Sequence, residues 1–383
     1  MLHRPARRAA LAWRSARRSW LPGMRARQSW LPGMRACFAT GPYGAQPPAL
    51  ALPNATPRYA SGPATFFRCK YEPWRETEAD IAIVGVPFDG GVTNRPGARH
   101  GPRRVREASA DHVRPLTRGR SPLELAACVD GGDVAVQRPY ELEGAHGEIE
   151  AAFRDTKFRD VATLAVGGDH SVTLPILRGI VHARGGEPLG LVHLDAHCDT
   201  GDDYLGSRFH HGAPFKIAVD EGLLDPKRCV QLGIRGTLAA PDAWAFSTAS
   251  SPVSGMTVIP MDELVEDYVR KGATGITALA AKVAAVVAGP AYLSFDIDVL
   301  DPAFAPGTGT PEAGGLATRE AQQILRALLG AAEQGALDVV AADLVEVAPP
   351  FDAADMTSLA AANLLHDILA ILATGVARRR RTS

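Results

Sequence analysis

Three apolar runs of this chain end directly in side chains that can bind a metal, and this pattern constrains the fold more than any other feature. The runs at 162–166, 189–194 and 291–295 lead into His170, Asp195 and Asp296. Burying an isolated charge is strongly unfavourable, so these carboxylates must be paired or bound to a cation. The carboxyl ends of parallel strands meet at one edge of a sheet. The sequence therefore predicts a parallel sheet with a polar site at that edge.

From residue 80 onward, short apolar runs alternate with helical segments, which is typical of a parallel sheet covered by helices on both faces. We predict strands at 81–86, 162–166, 189–195, 230–234, 292–296 and 337–345. We predict helices at 144–158, 174–184, 274–287, 318–330 and 357–372. The segment 301–315, rich in Gly and Pro, is predicted as a functional loop, with a plain surface connection as the alternative.

The composition is that of a soluble globular protein, with 46% hydrophobic and 22% charged residues in a chain of 383. By our reading, no stretch approaches the roughly 18 apolar residues of a membrane span, so we expect no membrane partner. The five cysteines are irregularly spaced, which argues against a disulfide framework. Cys198 lies one position after His197 and should point away from the ligand face of a strand, so we predict a structural role for it.

The N-terminal segment has an unusual charge distribution. Residues 1–71 contain 12 Lys and Arg but no Asp or Glu. We predict a mitochondrial transit peptide at 1–40, and hence a location in the mitochondrial matrix, followed by a Pro/Ala/Gly-rich linker at 41–71. A basic arm that binds nucleic acid is the less favoured alternative, so we expect no nucleic-acid partner. One domain is predicted at 72–375, with a solvated basic tail at 376–383.

The spacing of the acidic residues supports a metal site. Asp195, His197 and Asp199 lie at i, i+2 and i+4, which directs their side chains to one face of a strand. Asp296 and Asp298 repeat the i, i+2 pattern. Together with His170, this set of two His and four Asp suits divalent cations such as Mn²⁺, and two ions better than one. Scattered solvated carboxylates are the alternative.

A pair of bound cations can lower the pKa of a shared water from 15.7 toward ~7 and so supply hydroxide at neutral pH. By itself, such a site leaves hydrolysis of amidines, amides or phosphoesters open. His211, in the loop after the central ligand strand, is suited to passing a proton to a leaving amine. Glu346, at a strand end, is suited to pairing with a planar guanidinium, and a carboxylate facing the substrate argues against phosphate. A solvated loop histidine remains the alternative for His211.

Four segments resemble the signatures of the ureohydrolases, the arginase and agmatinase family: GGDHS at 167–171, HLDAHCDT at 193–200, SFDIDVLDPAFAPGTGTPEAGGL at 294–316 and DLVEVAPP at 343–350. The segment 84–103 is similar to the agmatinase branch in particular. The resemblance extends over about residues 65–372. With the transit-like leader, it is closest to the vertebrate mitochondrial members of that branch.

This resemblance implies a three-layer α/β/α fold with a mainly parallel eight-stranded sheet, two Mn²⁺ ions per subunit and a homo-oligomer, a trimer or hexamer. It implies one ion held by His170, Asp195, Asp199 and Asp296, and a second held by Asp195, His197, Asp296 and Asp298. It also implies that His211 shuttles a proton, that Glu346 anchors the guanidinium and that Thr310 lines the site. The implied reaction hydrolyses a small linear guanidino compound to urea and a primary amine.

The loop 200–211 is expected to recognise the far end of the substrate. Asp202 and Asp203 favour the cationic amine of agmatine, whereas Arg208 favours the carboxylate of a guanidino acid such as 4-guanidinobutanoate or 3-guanidinopropanoate. We therefore expect hydrolysis of agmatine to putrescine, a step of polyamine metabolism, with guanidino acid hydrolysis as the alternative. Arginase activity is less favoured, because the loop lacks the family's pattern for reading an α-amino acid. A non-catalytic protein that binds a partner in polyamine regulation is the hypothesis from another class.

Overall fold

The computed structural model describes residues 62–111, 121–154, 160–236, 241–249 and 255–382. In these ranges nine strands form one sheet, in the order β1-β3-β2-β4-β9-β8-β5-β6-β7, and neighbouring strands pair in parallel. The strands are β1 Lys70–Tyr71, β2 Ile81–Val86, β3 Cys128–Asp133, β4 Ala162–Gly167, β5 Leu189–Leu194, β6 Leu224–Ile234, β7 Thr257–Pro260, β8 Pro290–Asp296 and β9 Asp338–Val345.

The helices lie between the strands. They are α1 Gly101–Asp111, α2 Pro122–Leu125, α3 Leu142–Phe153, α4 Thr173–Ala183, α5 Pro214–Asp220, α6 Pro241–Thr248, α7 Met261–Glu263, α8 Gly272–Val287, α9 Thr318–Gln334 and α10 Met356–Thr382. A π-helical turn, Leu264–Val269, follows α7. Each of the six predicted strands and five predicted helices is present, with ends that differ by a few residues in most cases. The sheet has nine strands where eight were expected.

Two hydrophobic cores cover the two faces of the sheet, which makes the fold a three-layer α/β/α structure. On one face, Ile83 and Leu293 pack with helices α8, α9 and α10. On the other face, Val84 and Tyr292 pack with α3, α4 and α5. Successive residues of a strand point to opposite faces, so a strand buried on both sides is apolar throughout. The predicted fold class is confirmed.

The expectation that no stretch is long and apolar enough to span a membrane was wrong. One helix passes both criteria, length and composition. An 18-residue window of the helical stretch Ala353–Arg381 has a mean hydropathy of 1.7, yet 89% of that window is buried in the domain. It is apolar on nearly every side because it packs between α9, β9 and α1, as a core helix does. The same helix continues through the predicted basic tail, where Arg379 and Arg380 pair with Asp338 and Asp80. Arg378 and Arg379 are half-buried against the domain, whereas Arg380 and Arg381 are exposed, so the tail is only partly solvated.

The folded part begins before residue 72, within the segment predicted as a linker. Phe66 and Phe67 are fully buried, and β1 pairs with β3. Two adjacent aromatic residues supply enough apolar area to anchor this segment, although it is too short to show a periodic pattern. The predicted transit peptide, 1–40, and residues 41–61 of the predicted linker lie outside the described residues.

Gly168 sits where no side chain fits, immediately before the residues that carry the predicted site. A Cβ at this position would lie 1.6 Å from the carbonyl oxygen of Phe88, whereas one at Gly147, in α3, would have no heavy atom within 4 Å. We predict that Gly168→Ala lowers the free energy of unfolding by about 1–3 kcal/mol, because backbone must move. Gly147→Ala, the matched control, should stabilise α3 by about 0.5–1 kcal/mol. Urea denaturation measures both, and equal effects would contradict the account.

Candidate metal centre and active-site cavity

The predicted site residues meet at the carboxyl ends of four strands that are consecutive neighbours, β4, β9, β8 and β5. His170 follows β4, Glu346 follows β9, Asp296 ends β8 and Asp195 follows β5. These four side chains are all buried. Residues far apart in the sequence are thus brought to one place by strand order alone.

His170 lies at the centre of a first group of carboxylates. Its Nδ1 is 3.1 Å from Asp195 Oδ2, 2.9 Å from Asp199 Oδ2 and 3.2 Å from Asp296 Oδ2. That buried nitrogen makes no hydrogen bond of good geometry. A nitrogen lone pair and three carboxylate oxygens converging on one point fit a divalent cation, since these are its usual ligand atoms.

A second group forms around His197. Its Nδ1 is 3.4 Å from Asp195 Oδ1 and 3.1 Å from Asp298 Oδ2. Asp195 therefore faces His170 with one oxygen and His197 with the other. Asp296 faces His170 with Oδ2, while its Oδ1 accepts a hydrogen bond from the backbone of Asp298 at 2.8 Å. Two adjoining groups that share a carboxylate fit a pair of ions better than a single one.

The pKa values of the group reflect its crowding. Burial, followed by the charges of neighbouring carboxylates, raises the pKa of Asp296 and of Asp298. Burial alone would raise the pKa of Asp195 too, but contacts with His193, His170 and His197 hold it well below the usual range. The same carboxylates raise the pKa of His170 and of His197 against the effect of burial. The cluster thus attracts positive charge, which bound cations would supply.

A buried hydrogen-bond network orients His170. Its Nε2 lies 2.8 Å from Ser294 Oγ, which donates to Asp343 Oδ1 at 2.6 Å. Asp343 Oδ2 also accepts hydrogen bonds from Thr173 and Tyr292 at 2.6 and 2.8 Å. Because the serine proton goes to Asp343, Ser294 accepts from His170 Nε2, and the lone pair of His170 Nδ1 remains free to bind a metal.

Glu346 and His211 form a buried pair at the rim of the cluster. Glu346 Oε1 accepts hydrogen bonds from the His170 backbone and from His211 Nδ1, both at 2.8 Å, whereas its buried Oε2 has no partner. Burial would lower the pKa of His211, but the Glu346 carboxylate outweighs it and raises that pKa to about 9. On its other side, His211 Nε2 is 2.7 Å from Thr93 Oγ1.

A cavity of about 280 Å³ opens above this cluster. His197, Asp199, His211, Thr310 and Glu346 line its inner part. Thr310 Oγ1 donates to Asp298 Oδ2 at 3.3 Å, so it touches a predicted ligand. Every predicted residue named so far is therefore at the cluster or in this cavity.

The specificity loop is only partly as predicted. Asp202 and Asp203 line the cavity, together with Asp242 from α6. Arg208 does not line it: its guanidinium lies 3.5 Å from Asp220 on α5, and its side chain is 52% exposed. The order of acidic and basic residues in the loop does not indicate which side chains point into the cavity.

Sequence reasoning missed several residues that contact the site. Asp169, one residue before His170, accepts hydrogen bonds from the backbone of Gly91 and Ser171 at 2.7 and 2.8 Å. His193 and Gln231 are polar residues inside strands, where only an interruption of the apolar pattern marked them.

Cys198 is fully buried beside Ile234 and Ala243, and burial above all raises its pKa to about 12. Such a thiol is inert, as a structural role requires.

The chain is similar to known proteins over most of its length. A family model described as the arginase family matches residues 79–370. A guanidinopropionase from Pseudomonas aeruginosa is 47% identical over 78% of this chain and 88% of its own length. A mitochondrial guanidino acid hydrolase from Homo sapiens is 44% identical over 76% of this chain and 78% of its own. A mitochondrial agmatinase from Gallus gallus is 42% identical over 76% and 81%.

Solved structures show the same architecture. The proclavaminate amidino hydrolase of Streptomyces clavuligerus superposes with a TM-score of 0.74 at 37% identity, covering 84% of this chain and all of that one. A formiminoglutamase variant from Trypanosoma cruzi, whose structure is described as containing Mn²⁺, has a TM-score of 0.63 at 25% identity and covers 79% of this chain and 96% of its own.

Removal of one carboxylate tests the cluster as a metal centre. We predict that Asp298→Ala, purified after growth with Mn²⁺, loses at least one of two bound ions, because His197 Nδ1 loses the nearer of two carboxylates, at 3.1 Å, and keeps Asp195 at 3.4 Å. Asp267→Ala is the control: this carboxylate is exposed and pairs with Lys271 at 2.9 Å on the surface. Metal analysis by mass spectrometry measures both variants. Wild-type metal content in Asp298→Ala would refute the assignment.

Proposed function

The chain belongs to the arginase family and is a ureohydrolase, and we propose that it hydrolyses agmatine to putrescine and urea with two Mn²⁺ ions. The observation that carries the proposal is the buried cluster of four aspartates and two histidines beneath a cavity whose mouth is acidic. The cluster accounts for the hydrolytic chemistry, and the charge of the mouth accounts for the choice of substrate.

We assign the ions to two sets of side chains. His170, Asp195, Asp199 and Asp296 would hold one ion, and Asp195, His197, Asp296 and Asp298 would hold the other. Carboxylate and imidazole ligands suit Mn²⁺. When bound, the ions lower the pKa of a shared water so that it acts as the nucleophile near neutral pH.

Glu346 is suited to anchor the guanidinium. Its Oε1 is held by His170 and His211, and its buried Oε2 has no partner in the protein. An ionised carboxylate with a free oxygen in a buried wall offers a guanidinium N–H group a strong, charge-assisted hydrogen bond. This contact would hold the guanidinium carbon toward the cluster and exclude other orientations.

His211 is suited to deliver a proton to the leaving amine. It lines the cavity and bridges Glu346 and Thr93, which fixes the plane of its ring. The pKa of about 9 keeps the imidazole able to carry a proton at neutral pH. Hydrolysis breaks one C–N bond of the guanidinium and forms one C–O bond, so the departing amine needs such a proton.

The cavity mouth favours a cationic substrate tail. Asp202, Asp203 and Asp242 line it. The nearby cations are directed elsewhere: Arg208 lies 3.5 Å from Asp220, and Lys216 lies 2.9 Å from the same carboxylate but 3.9 Å from Asp202. The primary ammonium of agmatine would meet a negative potential here, whereas a substrate carboxylate would be repelled.

Hydrolysis of a guanidino acid such as 4-guanidinobutanoate or 3-guanidinopropanoate is the second candidate. Two of the relatives above are named guanidinopropionase and guanidino acid hydrolase, at 47% and 44% identity. For this substrate class, Arg208 would have to leave Asp220 and turn into the cavity. Its exposed position on the loop leaves that movement open.

We also propose a mitochondrial location and a homo-oligomer, a trimer or hexamer. The acid-free leader and the two mitochondrial relatives support the location. Family resemblance supports the assembly.

A substrate panel tests the proposed reaction. Mn²⁺-loaded protein is assayed for urea release from agmatine, 4-guanidinobutanoate, 3-guanidinopropanoate and arginine. We predict the highest kcat/KM for agmatine, and loss of urea release after chelation of the metal. Faster turnover of either guanidino acid would instead support the second candidate, hydrolysis of a guanidino acid. If no guanidino compound releases urea, the result would contradict ureohydrolase activity and favour a non-catalytic binding role.

Two charge-removing variants sharpen the same test. Asp203→Asn keeps the carbonyl oxygen that accepts a hydrogen bond from Gly206 at 2.8 Å but removes the charge. It should raise the KM for agmatine up to about fivefold, as expected for a partly exposed ion pair. Arg208→Gln should leave that KM unchanged. In an enzyme specific for guanidino acids, Arg208→Gln would instead raise the KM for the acid substrate, and Asp203→Asn would leave that KM unchanged.

A further inference from the structure

A buried chain of hydrogen bonds joins two strands beneath the cluster. His193 on β5 and Gln231 on β6 are register partners, and both side chains are fully buried. Gln231 Nε2 lies 2.6 Å from the Cys198 carbonyl oxygen and 3.0 Å from His193 Nδ1. His193 Nε2 lies 2.8 Å from Asp195 Oδ2. The chain therefore runs from the Cys198 backbone to a carboxylate shared by both ligand groups.

The direction of each hydrogen bond follows from chemistry. A carbonyl oxygen only accepts, so the amide nitrogen of Gln231 must face Cys198. Its second hydrogen then points to His193 Nδ1, which accepts. A neutral imidazole carries one proton, so His193 holds it on Nε2 and donates it to Asp195. The same reasoning excludes His193 as a ligand, because its only nitrogen near the cluster is protonated.

Both ends of this chain of hydrogen bonds act on the group of carboxylates around His170. Asp195 and Asp199 face His170 Nδ1 at 3.1 and 2.9 Å. Asp199 directly follows Cys198 and has a φ of 50°, a left-handed conformation that is uncommon for residues other than glycine but better tolerated by aspartate than by most. Gln231 thus ties the backbone next to Asp199 at one end and, through His193, the carboxylate of Asp195 at the other.

Packing restricts the chain further. The ring of Phe215 lies 4.4 Å from that of His193 and 5.2 Å from that of His170, between centroids. One oxygen of Gln231, Oε1, is buried without a partner. An unsatisfied buried amide oxygen is unfavourable, and the two hydrogen bonds donated by Gln231 Nε2 offset that cost. Removing the glutamine would leave the Cys198 carbonyl and His193 Nδ1 buried without a donor.

We propose that Gln231 and His193 are positioning residues that set the spacing of Asp195 and Asp199 for the ion beside His170, an inference that rests on the proposed metal site. The ion beside His197 depends on this chain less, because His197 and Asp298 make no contact with Gln231 in the described residues. Loss of the hydrogen-bond chain should therefore weaken the site beside His170 more than the site beside His197, which Asp195 also serves.

The experiment measures metal binding directly. Metal-free protein is titrated with Mn²⁺ by calorimetry, and electron paramagnetic resonance follows the spin coupling of the two ions. In Gln231→Leu, we expect one ion to bind about 10- to 100-fold more weakly and the other nearly as in wild type, with the coupled spectrum replaced by that of isolated Mn²⁺. Gln231→Glu has the same size but carries at most one proton, so it cannot donate to both Cys198 and His193, and it should show the same selective loss without a cavity.

Leu232→Ala is the control for general destabilisation. Leu232 is the next residue on β6, fully buried in the core of the opposite face. It should lower the melting temperature but leave both Mn²⁺ affinities unchanged. Two wild-type affinities in both Gln231 variants would overturn the inference, and so would equal weakening of both ions that Leu232→Ala reproduces. Fewer than two ions in the wild-type protein would instead refute the metal site itself, and the inference with it.

Discussion

The crowding of four aspartates at one edge of a parallel sheet is the constraint on which the rest of this structure depends. Such a cluster is unfavourable by itself, because burial and mutual repulsion both oppose ionisation. The raised pKa values of Asp296 and Asp298 express this cost. A fold that keeps these groups together therefore needs both a cation and a rigid frame, and the four adjoining strands supply the frame.

The frame also holds backbone conformations that would not form in isolation. Asp199 and Glu346 both have positive φ values, 50° and 63°, and both face the site. Glu346 is the residue after β9, so a left-handed turn at the strand end directs its side chain back over the cluster. The strain is offset by hydrogen bonds, since Glu346 Oε1 joins the His170 backbone to His211. Ligand geometry and substrate anchoring thus depend on the same few strand ends.

The sequence predicted the central strands well, and it predicted which side chains meet at their ends, because both come from local patterns. Apolar runs indicated β4, β5 and β8, and acidic residues directly behind them indicated the site. β3 was not predicted as a strand because its sequence, CVDGGD, contains two glycines and two aspartates. Gln231 was not predicted because its contacts depend on a neighbouring strand. The direction of Arg208 stayed open in the sequence because side-chain direction in a loop depends on contacts such as Asp220. Contacts between distant elements are what local patterns leave out.

In the proposed function, the hydrolytic chemistry and the choice of substrate belong to different parts of this molecule. The buried cluster belongs to the sheet edge, whereas the acidic mouth belongs to an exposed loop and to α6. The central claim concerns the cluster, and anomalous diffraction at the manganese edge from crystals of Mn²⁺-loaded protein tests it most directly. The account predicts two peaks per chain, one beside Nδ1 of His170 and one beside Nδ1 of His197, with Asp195 between them. No peak there, or a single one at full loading, would contradict it.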